Sequence, residues 1–222
     1  MMIELTSATH MTVQYLRDLI IIGELKPGQK INETILATSI GLSRPPIREA
    51  LRILEADSLV INIPRKSTYV SEISLSDFEE TFQTRGMIEV YAIDLLKSIN
   101  AKDFSSLDSA LSEAANCRIE KGSGAMEVLR CLKIFADFHI RLVTLAGNSH
   151  ILKFYKSILS NVWRYQFMYF SKRPTQPLFE AHDLITKNIK MGDYDEAKKV
   201  LLSHMSYNYE QIINDEEIHI PA

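Results

Sequence analysis

The sequence predicts a mainly α-helical protein, with an N-terminal winged helix-turn-helix over residues 1–73 and an all-α bundle of six or seven helices over residues 74–222. Two observations favour this fold class. The first 73 residues contain three amphipathic helical stretches followed by one hairpin pattern. Beyond residue 73 the strand patterns stop, and amphipathic stretches alternate with short breaks that contain glycine or proline.

The first two helices are predicted from their apolar spacing and their ends. Residues 9–22 carry apolar side chains at helical spacing, and Gly23 follows them as a stop. Asn32 is a suitable N-cap for a second helix, because its short side chain accepts hydrogen bonds from first-turn N–H groups. Gly41 then ends this helix, since glycine adopts the left-handed backbone of a helix C-terminus.

The third helix follows at once and is strongly amphipathic. Ser43 occupies its N-cap position, and Arg44, Arg48 and Arg52 lie four residues apart, so that a helix places them on one face. Apolar residues at i, i+3, i+4 and i+7 from Ile47 fill the opposite face. A short helix with outward cations, preceded by a glycine-containing turn, is typical of a helix-turn-helix that enters the major groove.

A β-hairpin completes the predicted winged domain. Residues 59–63 and 68–71 read as two strands, joined by residues 64–67 with Arg65 and Lys66 at the tip. The rest of the chain predicts six further helices. They are expected near residues 76–95, 103–120, 124–145, 148–171, 177–191 and 193–213.

Composition limits the class and location of the protein. Its 222 residues carry a net charge of −3, so any contact with DNA depends on local placement of cations rather than on bulk attraction. Cys117 and Cys131 show no pairing or metal-type spacing, and we expect buried thiols in a reducing cytosol. No apolar run approaches a membrane span and no signal peptide is evident, which predicts a cytoplasmic protein without a membrane partner.

Two sets of motifs resemble a known family. Residues 23–28, 36–37, 41–51, 54–55 and 59–60 together resemble the DNA-binding domain of the GntR superfamily of bacterial transcription regulators. Residues 85–89, 138–139, 146–148 and 192–193, with His182 and His204, resemble the FadR-type effector-binding bundle, the FCD domain. The resemblance implies a homodimer that binds double-stranded operator DNA with two-fold symmetry. It also implies release or rearrangement when a small metabolite, often a carboxylate, occupies the bundle, with repression as the usual mode.

The resemblance also implies a set of DNA contacts. Arg44 and Arg48 match the arginines that read guanines, since a guanidinium bonds O6 and N7 of guanine together. The other expected contacts are Ser43 with a phosphate, Arg52 with the backbone unless it pairs with Glu55, and Arg65 and Lys66 with the minor groove or its phosphates. Where the family carries glycine, this chain has Ser58 and Ser67, which makes a left-handed backbone at Ser67 less favourable.

Three histidines match the imidazole ligands of a metal site found in many such bundles. His139, His182 and His204 suit Zn²⁺ or Ni²⁺, but the family's fourth ligand, an aspartate, is here replaced by Phe135. Asp137 lies two residues from His139, on another side of the helix, and does not replace that aspartate. The alternative is a polar pocket without metal. Phe135 is also expected to narrow the pocket and to favour a smaller or more apolar effector.

The expected effector contacts are Arg85, Phe135 and Asn148. Arg85 matches an arginine that commonly faces the effector and would pair with an anion, although an intrahelical pair with Glu89 is the alternative. The aromatic residues between 163 and 170 are assigned to the bundle core in preference to a ligand cage.

These observations favour a ligand-responsive transcription regulator and not an enzyme. A metal-dependent hydrolase is the first alternative, because three histidines with an open position could activate water. No general base stands at a recognisable spacing, however, and the DNA-reading motif would have no role. A helical sensor that has lost DNA binding is the second alternative.

Overall fold

The computed structural model describes residues 2–173, 179–216, 218 and 220–221. By its internal contacts the chain divides into two compact units, Met1–Ser74 and Leu75–Ala222. No helix within the described part of the chain is long and apolar enough to cross a membrane.

The N-terminal unit contains three helices and a small sheet. Its elements are α1 (Met2–Ile21), β1 (Lys30–Ile31), α2 (Glu33–Ile40), α3 (Arg44–Ala56), β2 (Val60–Ile63) and β3 (Ser67–Val70). The sheet is antiparallel with the order β1-β3-β2, so β1 adds a third strand to the predicted hairpin. Helix α1 also begins earlier than the predicted residue 9.

The ends of α2 follow the sequence prediction. The Asn32 side chain accepts hydrogen bonds from the backbone N–H groups of Thr34 and Ile35, at 3.0 and 3.2 Å. Gly41 ends the helix in the left-handed region with a φ of 67°. The short turn after Gly41 leads directly into α3, whose apolar face packs against α1 in the core. The arginine face of α3 is therefore left to solvent.

Ser58, a residue other than glycine with a left-handed backbone, connects α3 to the wing. Ser58 has a φ of 59°, its N–H donates to the carbonyl of Glu55, and the N–H of Leu59 donates to the carbonyl of Leu54. This is the Schellman pattern of helix termination, which requires a left-handed backbone at this position. Leu54 and Leu59 are fully buried and supply its apolar contact. In the wing itself, Arg65 rather than Ser67 adopts a positive φ, of 63°.

The second unit is a bundle of helices. In chain order its helices are α4 (Leu75–Ser98), α5 (Ser105–Ala114), α6 (Ala125–Leu145), α7 (Ser149–Phe170), α8 (Phe179–Met191) and α9 (Tyr194–Ile213). Helix α5 ends before the predicted residue 120, and the predicted start of α8 at residue 177 falls outside the described residues. Buried side chains of α4, α5, α6, α8 and α9 form the main core of this unit.

The two cysteines correct one expectation. A disulfide joins Cys117 to Cys131, with their Cα atoms 5.8 Å apart, in place of the two expected thiols. The chain turns back after α5, and this turn brings Cys117 against the side of α6 that carries Cys131. The spacing of 14 residues between the two cysteines does not indicate that they lie close together. The bond lies one helical turn before Phe135.

Candidate DNA-binding surface and histidine-lined cavity

The exposed face of α3 presents the predicted arginines. The side chains of Arg44 and Arg48 are 53% and 57% exposed, while Ile47 and Leu54 behind them are completely buried. Packing of the apolar face thus determines which face of α3, the one with both arginines, is turned to solvent. A helix face of this kind is able to lie in a major groove with its cations towards the base edges.

One acidic side chain holds the two arginines together. Glu33, at the start of α2, accepts a hydrogen bond of 2.8 Å from Nε of Arg48 and one of 3.2 Å from a terminal nitrogen of Arg44. The hydrogen bond from Arg48 is the main cause that lowers the pKa of the Glu33 carboxyl, so this group is ionised at neutral pH. Sequence reasoning missed Glu33, because an acid in the first turn of a helix has an ordinary role beside the helix dipole.

The wing and α3 contribute to one surface groove. Arg44, Arg48, Arg65 and Lys66 all line it, so the structure brings four of the expected DNA contacts together. Ser43 occupies the N-cap position of α3, and its hydroxyl makes no capping hydrogen bond.

Arg52 pairs with Glu49 and not with Glu55, the partner suggested by the sequence. It lies 3.5 Å from Glu49 and is 79% exposed, whereas the side chain of Glu55 accepts a hydrogen bond from the backbone N–H of Asn62. Glu55 therefore supports the wing, and the exposed pair of Arg52 with Glu49 is weak.

The bundle contains a cavity of about 270 Å³ that is partly open to solvent. Its polar lining comes from Arg85, Gln166, Asn208, Gln211 and the three predicted histidines. Its aromatic lining comes from Phe135, Tyr155, Tyr169, Phe170 and Tyr207. Tyr169 and Phe170 were assigned to the core by sequence, so the aromatic run is divided between core and cavity. A cavity of this size and mixed lining suits a small molecule.

The three histidines converge in this cavity from three helices. His139 on α6, His182 on α8 and His204 on α9 are all buried, and each offers a ligand atom within 4.8 Å of the others. The Nε2 atoms of His139 and His182 are 3.0 Å apart. Burial lowers the pKa of all three imidazoles, that of His204 to about 3, so they are neutral at neutral pH. Neutral imidazoles are the form that binds a metal ion.

The donor set and one unsatisfied atom fit a metal ion. Nδ1 of His204 is buried and has no hydrogen-bond partner among the described residues. An unpaired buried ring nitrogen is costly unless it meets a partner. Phe135 lines the cavity at the position of the missing carboxylate, and Asp137 forms an ion pair with Arg141 instead. The candidate ligands are therefore three neutral nitrogens, a set that suits Zn²⁺ or Ni²⁺ with open positions.

Behind the histidines lies a buried carboxylate. Glu89 has no exposed surface and accepts hydrogen bonds from Nε of Arg85 at 2.7 Å and from the hydroxyl of Tyr155 at 2.6 Å. Its other oxygen lies 2.6 Å from Nδ1 of His139, within hydrogen-bond distance. Burial alone would raise the pKa of the Glu89 carboxyl, but the adjacent charge of Arg85 and these donors hold that pKa well below its usual range. Arg85 thus forms the intrahelical pair with Glu89 that was the alternative for it, and it also lines the cavity, where contact with an effector stays a prediction.

Asn148 corrects another expectation. Its side-chain oxygen accepts hydrogen bonds from the backbone N–H groups of His150 and Ile151, both at 3.1 Å, and so caps α7. It is absent from the described residues that line the cavity. The side chain expected to contact the effector thus caps the first turn of α7, which is the ordinary role of an asparagine at an N-cap.

Comparison with known proteins agrees with the two units. Residues 8–70 match the family model of bacterial regulatory proteins of the gntR family, and residues 80–207 match the FCD domain. The chain belongs to the GntR family. It combines the GntR helix-turn-helix with an FCD bundle, the FadR-type architecture.

Relatives of this GntR-family chain are named as regulators. An uncharacterized HTH-type transcriptional regulator of Bacillus subtilis, YdhC, is 28% identical over 199 residues, which cover 89% of this chain and 87% of the relative. The gluconate operon transcriptional repressor of Bacillus licheniformis is 25% identical, with 86% and 70% coverage. The solved structure of Escherichia coli McbR/YncC shares the fold with a TM-score of 0.72 at 19% identity, covering 93% of this chain and 97% of that one. The protein is a DNA-binding transcription regulator.

Proposed function

We propose that this GntR-family regulator is a repressor that binds a palindromic operator as a homodimer and leaves it when a small organic acid enters the bundle cavity. The observation that carries the proposal is the cavity lined by a buried arginine, in a chain whose other unit exposes an arginine pair on a helix. One unit then reads DNA and the other senses a metabolite.

The proposed DNA contacts divide into two kinds. Arg44 and Arg48 bond guanine edges in the major groove, because their guanidinium groups extend from the exposed face of α3. Arg65 and Lys66 contact the minor groove or its phosphates from the wing, and Ser43 and Arg52 contact the DNA backbone. The net charge of −3 makes these local contacts the source of affinity.

The proposed switch is a shift between two populations of the dimer. Two copies of α3 must match the spacing of two half-sites in order to bind together. An effector that binds better to a dimer of different geometry shifts the population away from the DNA-binding form. The strength of release is then limited by the difference in effector affinity between the two forms.

The proposed effector is a small carboxylate. Arg85 brings a cation to the cavity, and Gln166, Asn208 and Gln211 add amide groups that orient a polar ligand. Phe135 and the other aromatic side chains leave room for an apolar part of the ligand. A ligand with one anionic end and an apolar body fits this distribution of groups.

The proposed metal ion is Zn²⁺ or Ni²⁺, held by His139, His182 and His204. When bound, it supplies a positive charge that attracts the effector carboxylate. Without it, the same imidazoles serve as hydrogen-bonding groups around the effector. We place the protein in the bacterial cytoplasm, where its DNA partner lies.

The hydrolytic alternative is less well supported. A metal-bound water needs a nearby base, and the buried carboxylate closest to the histidines is Glu89. It already accepts three hydrogen bonds and does not line the cavity among the described residues. It is therefore badly placed to accept a proton from water.

The proposal is tested with the purified full chain and DNA from its own promoter region in a gel-shift assay. We expect a retarded complex on this DNA and none on a scrambled duplex of equal length. Elemental analysis and mass spectrometry of the purified protein then identify the metal and any co-purified acid, which is added back to release the DNA. Equal binding to the promoter DNA and to the scrambled duplex would contradict an operator-reading function. If none of the recovered acids releases the DNA, the proposed switch is wrong.

A further inference from the structure

The contacts of Glu89 are divided between its two carboxylate oxygens. Oε1 accepts from Nε of Arg85 and from the hydroxyl of Tyr155, while Oε2 lies 2.6 Å from Nδ1 of His139. Oε1 is thus bonded to Arg85 and Tyr155, and Oε2 faces the histidine cluster. Glu89 and His139 are 50 residues apart in sequence and come from different helices, α4 and α6.

This arrangement determines where the proton of His139 lies. A carboxylate that already takes donors from arginine and tyrosine is an acceptor only, so Nδ1 of His139 must be the donor in the 2.6 Å contact. A neutral imidazole carries one proton, which leaves the lone pair on Nε2. That atom is the one that lies 3.0 Å from Nε2 of His182, within the cluster.

We propose that Glu89 is a positioning residue for the histidine cluster: it fixes the ring of His139 and its Nδ1–H tautomer, so that Nε2 is presented as a metal ligand. The proposal rests on the metal site proposed above. Carboxylates that accept from the second nitrogen of a ligating histidine orient the ring and raise its basicity. Since Phe135 offers no carboxylate, Glu89 is the anionic group in hydrogen-bond contact with the cluster within the described residues.

A purely structural role would be different. Glu89 could serve only to neutralise the buried charge of Arg85, with His139 as an incidental neighbour. In that case loss of its charge would lower stability but would leave the tautomer of His139 unchanged. The tautomer is therefore the property that separates the two roles.

The test compares Glu89→Gln with Tyr155→Phe in the full chain. The first variant removes the carboxylate charge that faces His139, and the second removes a bond to the other oxygen of the same group. Zn²⁺ affinity is measured by competition with a chelating dye, and circular dichroism verifies folding. We expect Glu89→Gln to lose roughly 10- to 100-fold in Zn²⁺ affinity and Tyr155→Phe to lose less than about 3-fold.

A second measurement does not depend on metal. Long-range ¹H–¹⁵N correlation NMR of the metal-free protein assigns the tautomer of His139. We expect the Nδ1–H form in the wild type and in Tyr155→Phe, and a mixture in Glu89→Gln. An Nε2–H form in the wild type, or an unchanged tautomer in folded Glu89→Gln, would overturn the proposal. The wild-type reading decides by itself if that variant folds poorly. A wild type that binds no Zn²⁺ but shows the expected tautomers would instead overturn the metal site alone.

Discussion

Nε of Arg48 donates a 2.8 Å hydrogen bond to the carboxylate of Glu33, so an arginine assigned to a guanine already has an anionic partner in the protein. Arg44 shares the same carboxylate oxygen. The pair is half-exposed, which makes the ion pairs individually weak. The two ion pairs mainly orient the arginines, because they hold the flexible side chains of Arg44 and Arg48 side by side.

Replacement of Glu33 by Gln should lower the sequence selectivity of DNA binding. The variant loses one negative charge near the phosphates, so affinity for any duplex rises, while the arginines lose a fixed orientation. We expect a two- to tenfold smaller ratio between operator and scrambled DNA, about 0.4–1.4 kcal/mol, by fluorescence anisotropy. Glu49→Gln is the matched control, since Glu49 lies on the same helix as these arginines and pairs with the exposed Arg52 rather than with Arg44 or Arg48. An unchanged ratio would show that Glu33 does not orient the pair.

Loss of either reading arginine should weaken operator binding selectively. Arg44→Ala and Arg48→Ala should each cost about 1–3 kcal/mol on the operator and much less on scrambled DNA. Arg52→Ala should instead weaken both duplexes alike and reduce the salt dependence, because a phosphate contact carries no sequence information. Equal losses on both duplexes for Arg48→Ala would contradict its assignment to a base.

Restoring the missing carboxylate should increase metal binding. Phe135→Asp adds an anionic ligand one turn before His139, on the wall that already faces the cavity. We expect more Zn²⁺ or Ni²⁺ per chain after purification and a weaker affinity for effectors with an apolar body. Phe135→Leu controls for removal of the ring without a new ligand. If Phe135→Asp gains no metal relative to Phe135→Leu, the idea of an incomplete site is wrong.

Glycine at position 58 should stabilise the N-terminal unit. A left-handed backbone costs a residue other than glycine about 1–2 kcal/mol. Glycine avoids this cost but loses more conformational entropy on folding. We therefore expect Ser58→Gly to raise the free energy of unfolding by about 0.5–1 kcal/mol. Ser39→Gly, inside α2, should lose a similar amount. Urea unfolding followed by circular dichroism compares the two variants. A loss of stability in Ser58→Gly would mean that the serine side chain stabilises the turn.

Reduction of the disulfide should destabilise the bundle. The bond closes a loop of about 15 residues, for which about 3 kcal/mol is typical. We expect dithiothreitol to lower the free energy of unfolding of the wild type by this amount and to leave Cys117→Ser unchanged. A thiol assay on the unfolded, unreduced protein gives an independent check. Two free thiols per chain in that assay would show that the bond does not form.

Local patterns were sufficient for most elements but not for contacts between them. The cap at Asn32 and the amphipathic face of α3 depend on neighbouring residues, so the sequence predicts them well. Strand β1 has only two residues and exists through its pairing with β3, a tertiary contact that no local pattern contains. The disulfide was missed for the same reason, since it depends on the path of the chain after α5.

The candidate site shows the same division. The resemblance to a known family indicated the three histidines, and the structure brings them together. Glu89 was noticed only as the i+4 partner of Arg85, a spacing that usually marks an exposed helix pair. Its burial and its contact with His139 depend on the packing of α4 against α6, which the spacing does not reveal.

The turn at Ser58 has a mechanical consequence. It joins the end of the helix assigned to the major groove to the first strand of the wing, with Leu54 and Leu59 packed together in the core. The two elements assigned to DNA are therefore joined through one buried turn, and tilting one without the other would disturb this apolar core. Inserting or deleting a residue at this joint would misalign the major-groove and minor-groove contacts at the same time. Because this turn is part of a buried core, we expect a signal that releases the protein from DNA to move α3 and the wing together.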